Sequence, residues 1–274
     1  MSSEKIGIAI TTRNRPDVLS VCLKHFSVFK SGFENYSFVV IDDNSEEPNA
    51  GKNEQACVDN GFAMSYVYAQ DRMGIAKAKN QCLYRLGDCD YYFLFDDDCF
   101  PKKTGWASLY VDCYKKSGCH HLLYNAHIGP YAPVGRAFGV EEYNAELGVL
   151  MFMTRRCIDV IGGFDERYGI YGYEHMEYTR RAQEAILTNK LGRSCVPVGA
   201  NEYIYSFDLD WQMARTPPPL KNLPHEFQSS LVEEPWEAYR IHARKVNGII
   251  NEEVSRCERQ LYVPLTGQDA LDFV

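Results

Sequence analysis

Short apolar runs alternate with amphipathic stretches through the first hundred positions of this chain. Ile6-Gly7-Ile8-Ala9-Ile10, Ser37-Phe38-Val39-Val40-Ile41 and Tyr91-Tyr92-Phe93-Leu94-Phe95 are each nearly free of charge and end in polar residues. Runs of that length, bounded by turn residues, predict strands buried on both faces. Between them the apolar positions recur at helical spacing. Val18, Leu19, Cys22, Leu23 and Phe26 share one face of a helix starting near Pro16, a residue suited to a first helical turn. Residues 52–60 predict a helix closed by Gly61, 64–69 a strand, and 74–86 a helix ended by Gly87. Strand and helix in alternation imply an α/β fold with a mostly parallel, Rossmann-like sheet flanked by helices.

Past residue 100 the pattern is less even. A helix is expected from Pro101 to about Lys116, a short strand at 121–124, a Gly- and Pro-rich loop at 129–139 and a second central strand at 147–153. A short helix at 156–161 leads into Gly162-Gly163-Phe164-Asp165-Glu166-Arg167, and a Gly- and Tyr-rich turn at 168–173 feeds a helix beginning Glu174-His175-Met176-Glu177. Residues 194–198 and 202–206 read as short strands, Thr216-Pro217-Pro218-Pro219 as a stiff connector, and 237–257 as helical. These features divide the chain into a core domain over 1–212 and a helical C-terminal extension over 213–274, packing on the core or extending from it. The tail from 263 carries no readable chemistry.

Length and composition narrow the classes. With 274 residues the chain can bury one substantial core, and 45% hydrophobic with 24% charged residues is ordinary for a globular protein. A net charge of −8 argues against a generally basic nucleic-acid surface, leaving only a local groove built from Arg136, Arg155, Arg156, Arg180 and Arg181. No apolar run is long enough to span a bilayer and the chain enters its first strand directly, so a cytoplasmic protein is expected. The ten cysteines form no CxxC pair and several fall on apolar faces, which favours buried free thiols over disulfides or a zinc site.

The chemistry collects where the strands end. Asp96-Asp97-Asp98 follows the third apolar run without a break, and like charges so close raise one another's pKa values unless something positive sits there. A divalent cation held by hard oxygen ligands is the simplest candidate, and Mg²⁺ or Mn²⁺ at such sites commonly recruits substrate phosphates. The plain alternative is a solvated turn, with Pro101 opening the next helix. Ligands of doubly wound sheets bind beyond the strand C-termini, where Thr11, Asp43 and Asp96 to Asp98 would all converge. Neither a GxGxxG fingerprint nor a GxxxxGK[ST] loop is present.

Four motifs then occur in a familiar order: Ile10-Thr11-Thr12-Arg13-Asn14-Arg15-Pro16, Val40-Ile41-Asp42-Asp43-Asn44-Ser45, Phe95-Asp96-Asp97-Asp98 with Pro101, and Gly162-Gly163-Phe164-Asp165-Glu166 leading to Gly172-Tyr173-Glu174-His175. Together they resemble inverting glycosyltransferases of the GT-A fold, close to family 2 and its galactosyltransferase-like relatives. The resemblance implies a nucleotide-sugar donor, most commonly a UDP-sugar, with Mn²⁺ or Mg²⁺ as cofactor. Thr11, Arg13 and Asp43 would serve the donor, Asp43 accepting from the base. Asp96 to Asp98 would be the metal-binding DxD motif, Asp98 the direct ligand, Asp96 a ligand or nearer the sugar, and Asp97 part of the donor site. Lys79 stands where the family usually has arginine, so it or Arg72 would meet the diphosphate as a point charge. The family places a base carboxylate in an acidic pair at a helix N-terminus. Here the pair reads Glu174-His175, so either residue is a candidate base, imidazole having a suitable titration range.

Asp208, Asp210, His225 and His242 are all available as a third metal ligand. Tyr131, Phe138, Tyr171 and Tyr173 are candidates for a sugar-stacking wall, although core packing accounts for aromatic residues equally well. Two other functions fit part of the pattern. A nucleotidyltransferase that makes activated sugars uses a similar sheet but opens with a glycine-rich basic loop, which Thr11-Thr12-Arg13-Asn14 lacks. A non-catalytic sugar-nucleotide or interaction module would not need to keep a clustered carboxylate triplet and Glu174. The acceptor is open: a glycan, a protein, a small molecule or a modified DNA base.

Overall fold

Three apolar runs of the sequence lie side by side at the centre of the computed structural model, which describes residues 4–125, 132–144, 146–170, 172–189, 193–206 and 262–265. β1 (Ile6–Thr12), β2 (Tyr36–Asp42), β3 (Tyr66–Tyr68) and β4 (Tyr91–Asp96) pair in parallel in the order β3-β2-β1-β4. Helices α1 (Pro16–Val28), α2 (Asn49–Asp59) and α3 (Ile75–Leu86) make the crossovers. Because these strands are covered on both faces, they need no polar alternation, and Tyr91 to Phe95 are all buried.

The sheet continues through β9 (Leu150–Thr154), antiparallel to β4, and β6 (His121–Leu123), antiparallel to β9. β9 starts three residues later than its apolar run suggests, but the Asp96 amide still donates to the Val149 carbonyl at 2.9 Å. The antiparallel course has a positional consequence. It brings the start of β9, with Gly148 and Val149, to the carboxyl end of β4, and sends Thr154 and α5 (Arg155–Ile161) to the opposite edge. The chain then returns through 162–173 to begin α6 (Glu174–Glu184) near the carboxyl edge again.

Several local expectations are corrected. Pro101 does not open a helix: β5 (Cys99–Pro101) pairs antiparallel with β11 (Ile204–Ser206), and α4 (Trp106–Ser117) begins only after Gly105. The loop expected at 129–139 contains β7 (Gly135–Ala137), hairpinned to β8 (Val140–Tyr143) through Phe138 and Gly139, both at positive φ as a two-residue hairpin turn requires. Phe138 is 81% exposed at that tip. β8 pairs in turn with β10 (Ser194–Pro197), and of the strand expected at 202–206 only β11 forms, Ala200–Tyr203 being a helical turn, α7. Residues 213–261, which include most of the expected extension, lie outside the described residues. Val263, however, bridges to Gly162, and the Gly163 amide donates to its carbonyl at 2.8 Å.

The basic groove does not assemble from the residues suggested for it. Arg181 is 0% exposed and forms a buried pair with Glu177, with further hydrogen bonds to the Ile161 and Gly163 carbonyls. Arg155 sits at the far edge of the sheet on the Gly87 and Cys89 carbonyls, and Arg136 pairs with Glu141. The nine described cysteines are all buried and free, as expected. No helix among the described residues is long and apolar enough to cross a membrane.

His121 ties β6 into this core, its Nδ1 3.0 Å from the Phe152 carbonyl and its Nε2 3.0 Å from Thr179 Oγ1 of α6. Burial pushes the imidazole down to about 4 from 6.5, outweighing the carbonyl contact. The folded state therefore holds a neutral ring where the unfolded chain would take a proton. Its contribution is present above pH 6.5 and is lost as pH falls to about 4, by about 3 kcal/mol. Denaturant unfolding across that range should show this loss in the wild type and a flatter profile in His121→Gln.

Candidate active site

The carboxyl edge of the sheet gathers more negative charge than it could hold unaided, and the partners of each carboxylate sort the site. Asp42, the last residue of β2, is fully buried and accepts from the Ser45 amide at 2.8 Å, Asn53 at 2.7 Å and the Tyr66 hydroxyl at 2.8 Å. Asp43 accepts the Met73 and Gly74 amides at 2.5 and 3.0 Å, one on each oxygen. Burial lifts its carboxyl above the ordinary aspartate range despite those amides and the charges of Arg72 and Arg13 nearby. Both residues thus fix loops as well as supplying charge.

The loops after β1 and β2 are stitched together. The Asn14 amide donates to Ser45 Oγ at 2.8 Å, the Glu46 amide donates back to Asn14 Oδ1 at 2.8 Å, and Arg13 pairs with Glu46 at 3.2 Å. Asn14 and Asn44 both take positive φ there, a conformation asparagine tolerates. Thr11 lies within β1, opposite Ile41 and Asp96. It is Thr12, the residue after it, that reaches the acidic triplet: its hydroxyl donates to Asp97 at 2.7 Å, and Arg15 donates to the other Asp97 oxygen at 2.9 Å. Asp97, expected at the donor, is 3% exposed and holds the β1–α1 loop against the end of β4.

Asp98 is also buried, and its charge, after that of Asp97, adds to the burial that pushes the Cys22 thiol up. Asp96 differs from its neighbours, with 29% of its side chain exposed. Its ion-pair partner is Lys79 of α3, whose Nζ is 3.3 Å away and donates to the Gly148 carbonyl at 3.1 Å. Lys79 was expected to meet a diphosphate at the surface; its side chain is 1% exposed and turned inward. Burial alone would lower the lysine pKa, but the charges of Asp96 and then Glu174 reverse the shift and raise it. The ammonium therefore stays charged.

Glu174 is the first residue of α6, after Tyr173 in a left-handed conformation. One oxygen accepts the Gly172 amide at 3.0 Å, and the other lies 3.2 Å from His175 Nδ1. Burial would raise this carboxyl, but the hydrogen bond and charge of His175, with Lys79, overcome it and leave it at about 2. Glu174 is thus a buried carboxylate held ionised. His175 is 22% exposed, and Gly148 lets the backbone lie against its ring: a Cβ there would come within 2.6 Å of His175 Cγ.

Sequence reasoning missed the anchors of this half. Asn80, next to Lys79, is fully buried; its Oδ1 accepts the Phe164 amide at 2.7 Å and its Nδ2 donates to the Phe164 carbonyl and to Glu166. Gly74 has φ +80, and the Ile75 amide donates to the Ile170 carbonyl at 3.2 Å. The glycine before a lysine- and asparagine-bearing helix was the available signal, but its partners lie about ninety residues on. The expected third ligands Asp208, Asp210, His225 and His242, and the aromatics Tyr131 and Tyr171, lie outside the described residues. Among the described residues no three His, Cys, Asp or Glu side chains converge as a metal cage.

Residues 7–125 match the family model described as glycosyl transferase family 2. Over this segment, which is less than half of the chain, the protein is similar to family 2 glycosyltransferases. Solved structures extend the likeness beyond it. A mannosyltransferase from Pyrobaculum calidifontis, in complex with GDP-Man and Mn²⁺, is 13% identical over 70% of this chain and 54% of its own, with a TM-score of 0.53. GalNAc-T7 with UDP, GalNAc and Mn²⁺ is 13% identical over 72% of this chain and 43% of its own (TM-score 0.54). Staphylococcus aureus TarS 1–349 in complex with UDP-GlcNAc is 15% identical over 74% and 58% (TM-score 0.52). At such identities these likenesses show the fold, which is GT-A, and the chain spans about half the length of the structures it matches. A search of curated protein sequences finds no match.

Gly74 joins the loop after β2 to the segment that leads into Glu174. A Cβ there would lie 2.4 Å from the Gly169 carbonyl oxygen. Gly74→Ala should cost about 2 kcal/mol or more, from the left-handed φ and the backbone displacement, lowering the melting temperature by roughly 4–8 °C. Gly87, at φ +62 with open space around a Cβ, is the control, and its alanine variant should lose only the backbone part of that cost, about 1–2 kcal/mol. Equal losses in a thermal melt would mean that the close approach at Gly74 contributes nothing.

Proposed function

We propose that this chain is an inverting, divalent-metal-dependent glycosyltransferase. It moves a sugar from a nucleotide diphosphate, with a UDP-sugar the first candidate, to an acceptor hydroxyl on a glycan, a protein, a small molecule or a modified DNA base. One observation carries the reading. Asp96, the partly exposed carboxylate at the end of β4, and Glu174, the ionised carboxylate at the start of α6, both act on the same buried ammonium of Lys79. A donor-side acid and a base-side acid therefore belong to one constellation at the edge where such sheets bind ligands.

The residues present suit Mn²⁺ or Mg²⁺. Asp96 and Asp98 offer hard oxygen donors, and the buried Asp96 Oδ1 has no hydrogen-bond donor, its neighbour being the Lys79 charge. Two carboxylates without a protein cage is the donor set of an ion shared with substrate phosphates. When bound, such an ion would offset the negative charge that grows on the departing diphosphate. The matched mannosyltransferase and GalNAc-T7 structures, each with Mn²⁺ beside a nucleotide or nucleotide sugar, support this assignment.

The chain's own residues would do the rest. Thr11, Arg13 and Arg72 would line the nucleoside and phosphate side, with Asp43 reaching the base through lone pairs not taken by Met73 and Gly74. As the acceptor oxygen bonds to the anomeric carbon, the bond from that carbon to the diphosphate oxygen breaks and the diphosphate leaves with the electron pair. The acceptor hydroxyl proton passes to Glu174, which is already ionised and fixed by Gly172 and His175. The Glu174–His175 contact favours a second division of labour, in which Glu174 orients the imidazole and His175 takes the proton. The buried free thiols suit a reducing compartment, which supports a cytoplasmic location.

Two measurements test this reading. In a thermal-shift panel of UDP-glucose, UDP-N-acetylglucosamine and GDP-mannose, with and without Mn²⁺, one nucleotide should stabilise the protein by about 2.7 kcal/mol at a hundredfold over its Kd. The shift should require the metal and vanish in Asp98→Asn. No shift with any nucleotide would sink the donor-site assignment. Turnover then assigns the base: Glu174→Gln should lower kcat by about a thousandfold and His175→Gln by less than about tenfold. The reverse ranking would make His175 the base.

A further inference from the structure

The side chain this constellation turns on is not one that the donor could readily touch. Lys79 projects from the first turns of α3 beneath the end of β4, at 1% exposure. One of its three possible donors is spent on Gly148 O at 3.1 Å, and Asp96 Oδ1 stands 3.3 Å away as its ion-pair partner. A buried ammonium is tolerated only when its charge is matched, and here two carboxylates from distant parts of the chain match it. The Phe164 ring, 5.9 Å away, closes another side. Asn80, the next residue of the same helix, clamps Phe164 and Glu166. Gly148, which accepts from Lys79, is also the residue packed against the His175 ring.

We propose that Lys79 is a positioning residue: from inside the core it fixes the carboxylate of Asp96 for the donor and, through Gly148 and its own charge, the Glu174–His175 pair for the acceptor. The inference rests on the glycosyltransferase reading and deepens it, since it replaces a surface contact to the diphosphate with an internal brace. A brace and a contact differ in what they do to kinetics. Loss of a donor contact raises KM, whereas loss of a brace leaves the donor's binding groups in place and misplaces the reacting ones, which lowers kcat.

The test compares Lys79→Met, Lys79→Gln and Lys79→Arg with the wild type. The donor is whichever of UDP-glucose, UDP-N-acetylglucosamine or GDP-mannose binds the wild type in calorimetric titration with Mn²⁺, and turnover is followed with water as acceptor. Lys79→Met should lower kcat by about a hundredfold while donor Kd and KM stay within about threefold. Lys79→Arg, which keeps the charge, should recover most of that loss. Lys79→Gln keeps a donor for Gly148 without the charge, and it carries the same expectation should the methionine variant fold poorly. A donor Kd that rises with kcat unchanged would make Lys79 a donor contact and overturn the proposal. A lowered melting temperature with kcat and Kd both unchanged would reduce it to a structural residue and overturn it equally. A wild type that binds none of the three nucleotides fails a different claim, the glycosyltransferase reading itself, and the brace falls with it.

Discussion

Carboxylates crowded at one edge of a parallel sheet are the constraint on which the rest of this structure depends. Left alone they would repel, take up protons or drive the loops apart. The fold answers each one separately. Asp42 is met by a serine amide, an asparagine and a tyrosine hydroxyl, Asp43 by two backbone amides, and Asp97 by Thr12 and Arg15. These carboxylates act chiefly as fasteners between loops. Asp96 has one buried cation and an exposed face, and Glu174 is held ionised at a helix start. The degree to which a carboxylate is already satisfied thus separates the residues that hold the site from those free to act in it.

Helix α3 is where these fasteners meet. Its N-terminus is gripped by Asp43 and lies on the Gly169–Ile170 backbone, its Lys79 answers Asp96 and Glu174, and its Asn80 clamps the Phe164–Glu166 segment. The helix therefore ties the loop after β2 and the end of β4 to the segment that carries Glu174. Buried polar groups with all partners in place are rigid, and they are costly to disturb because any one left unpaired sits in a low-dielectric interior. That rigidity is what a reaction needs when two substrates must be held at a fixed separation and orientation.

Much of this was legible in the chain. The apolar runs ending at Ile10, Ile41 and Phe95 placed β1, β2 and β4, and the acidic or polar residues after them marked the carboxyl edge where the carboxylates gather. Apolar spacing and Gly87 placed α3, and the glycine- and tyrosine-rich turn placed the start of α6. What stayed hidden depended on partners far away in sequence. Cys99–Pro101 is a strand only because β11 arrives to pair with it a hundred residues later, and the 135–143 hairpin turns on Phe138 and Gly139, a pair without the usual asparagine-glycine signal. Lys79 has the same composition whether it faces water or the core, and only the positions of Asp96, Gly148 and Glu174 show that it faces inward. Arg181 illustrates the same limit, since a buried Glu177 one turn earlier removes it from any surface groove.

If the carboxylate at the start of α6 stands across the sugar from the leaving diphosphate, the incoming oxygen attacks from the opposite face. The configuration of the product tests this most directly. With UDP-α-glucose or whichever α-linked nucleotide sugar the protein cleaves, and water as the acceptor, proton NMR can follow the released sugar before mutarotation scrambles it. Attack from the opposite face releases the β anomer first. Release of the α anomer first would contradict this arrangement, because retention requires either two successive displacements through a covalent intermediate or delivery of the acceptor on the face from which the diphosphate departs.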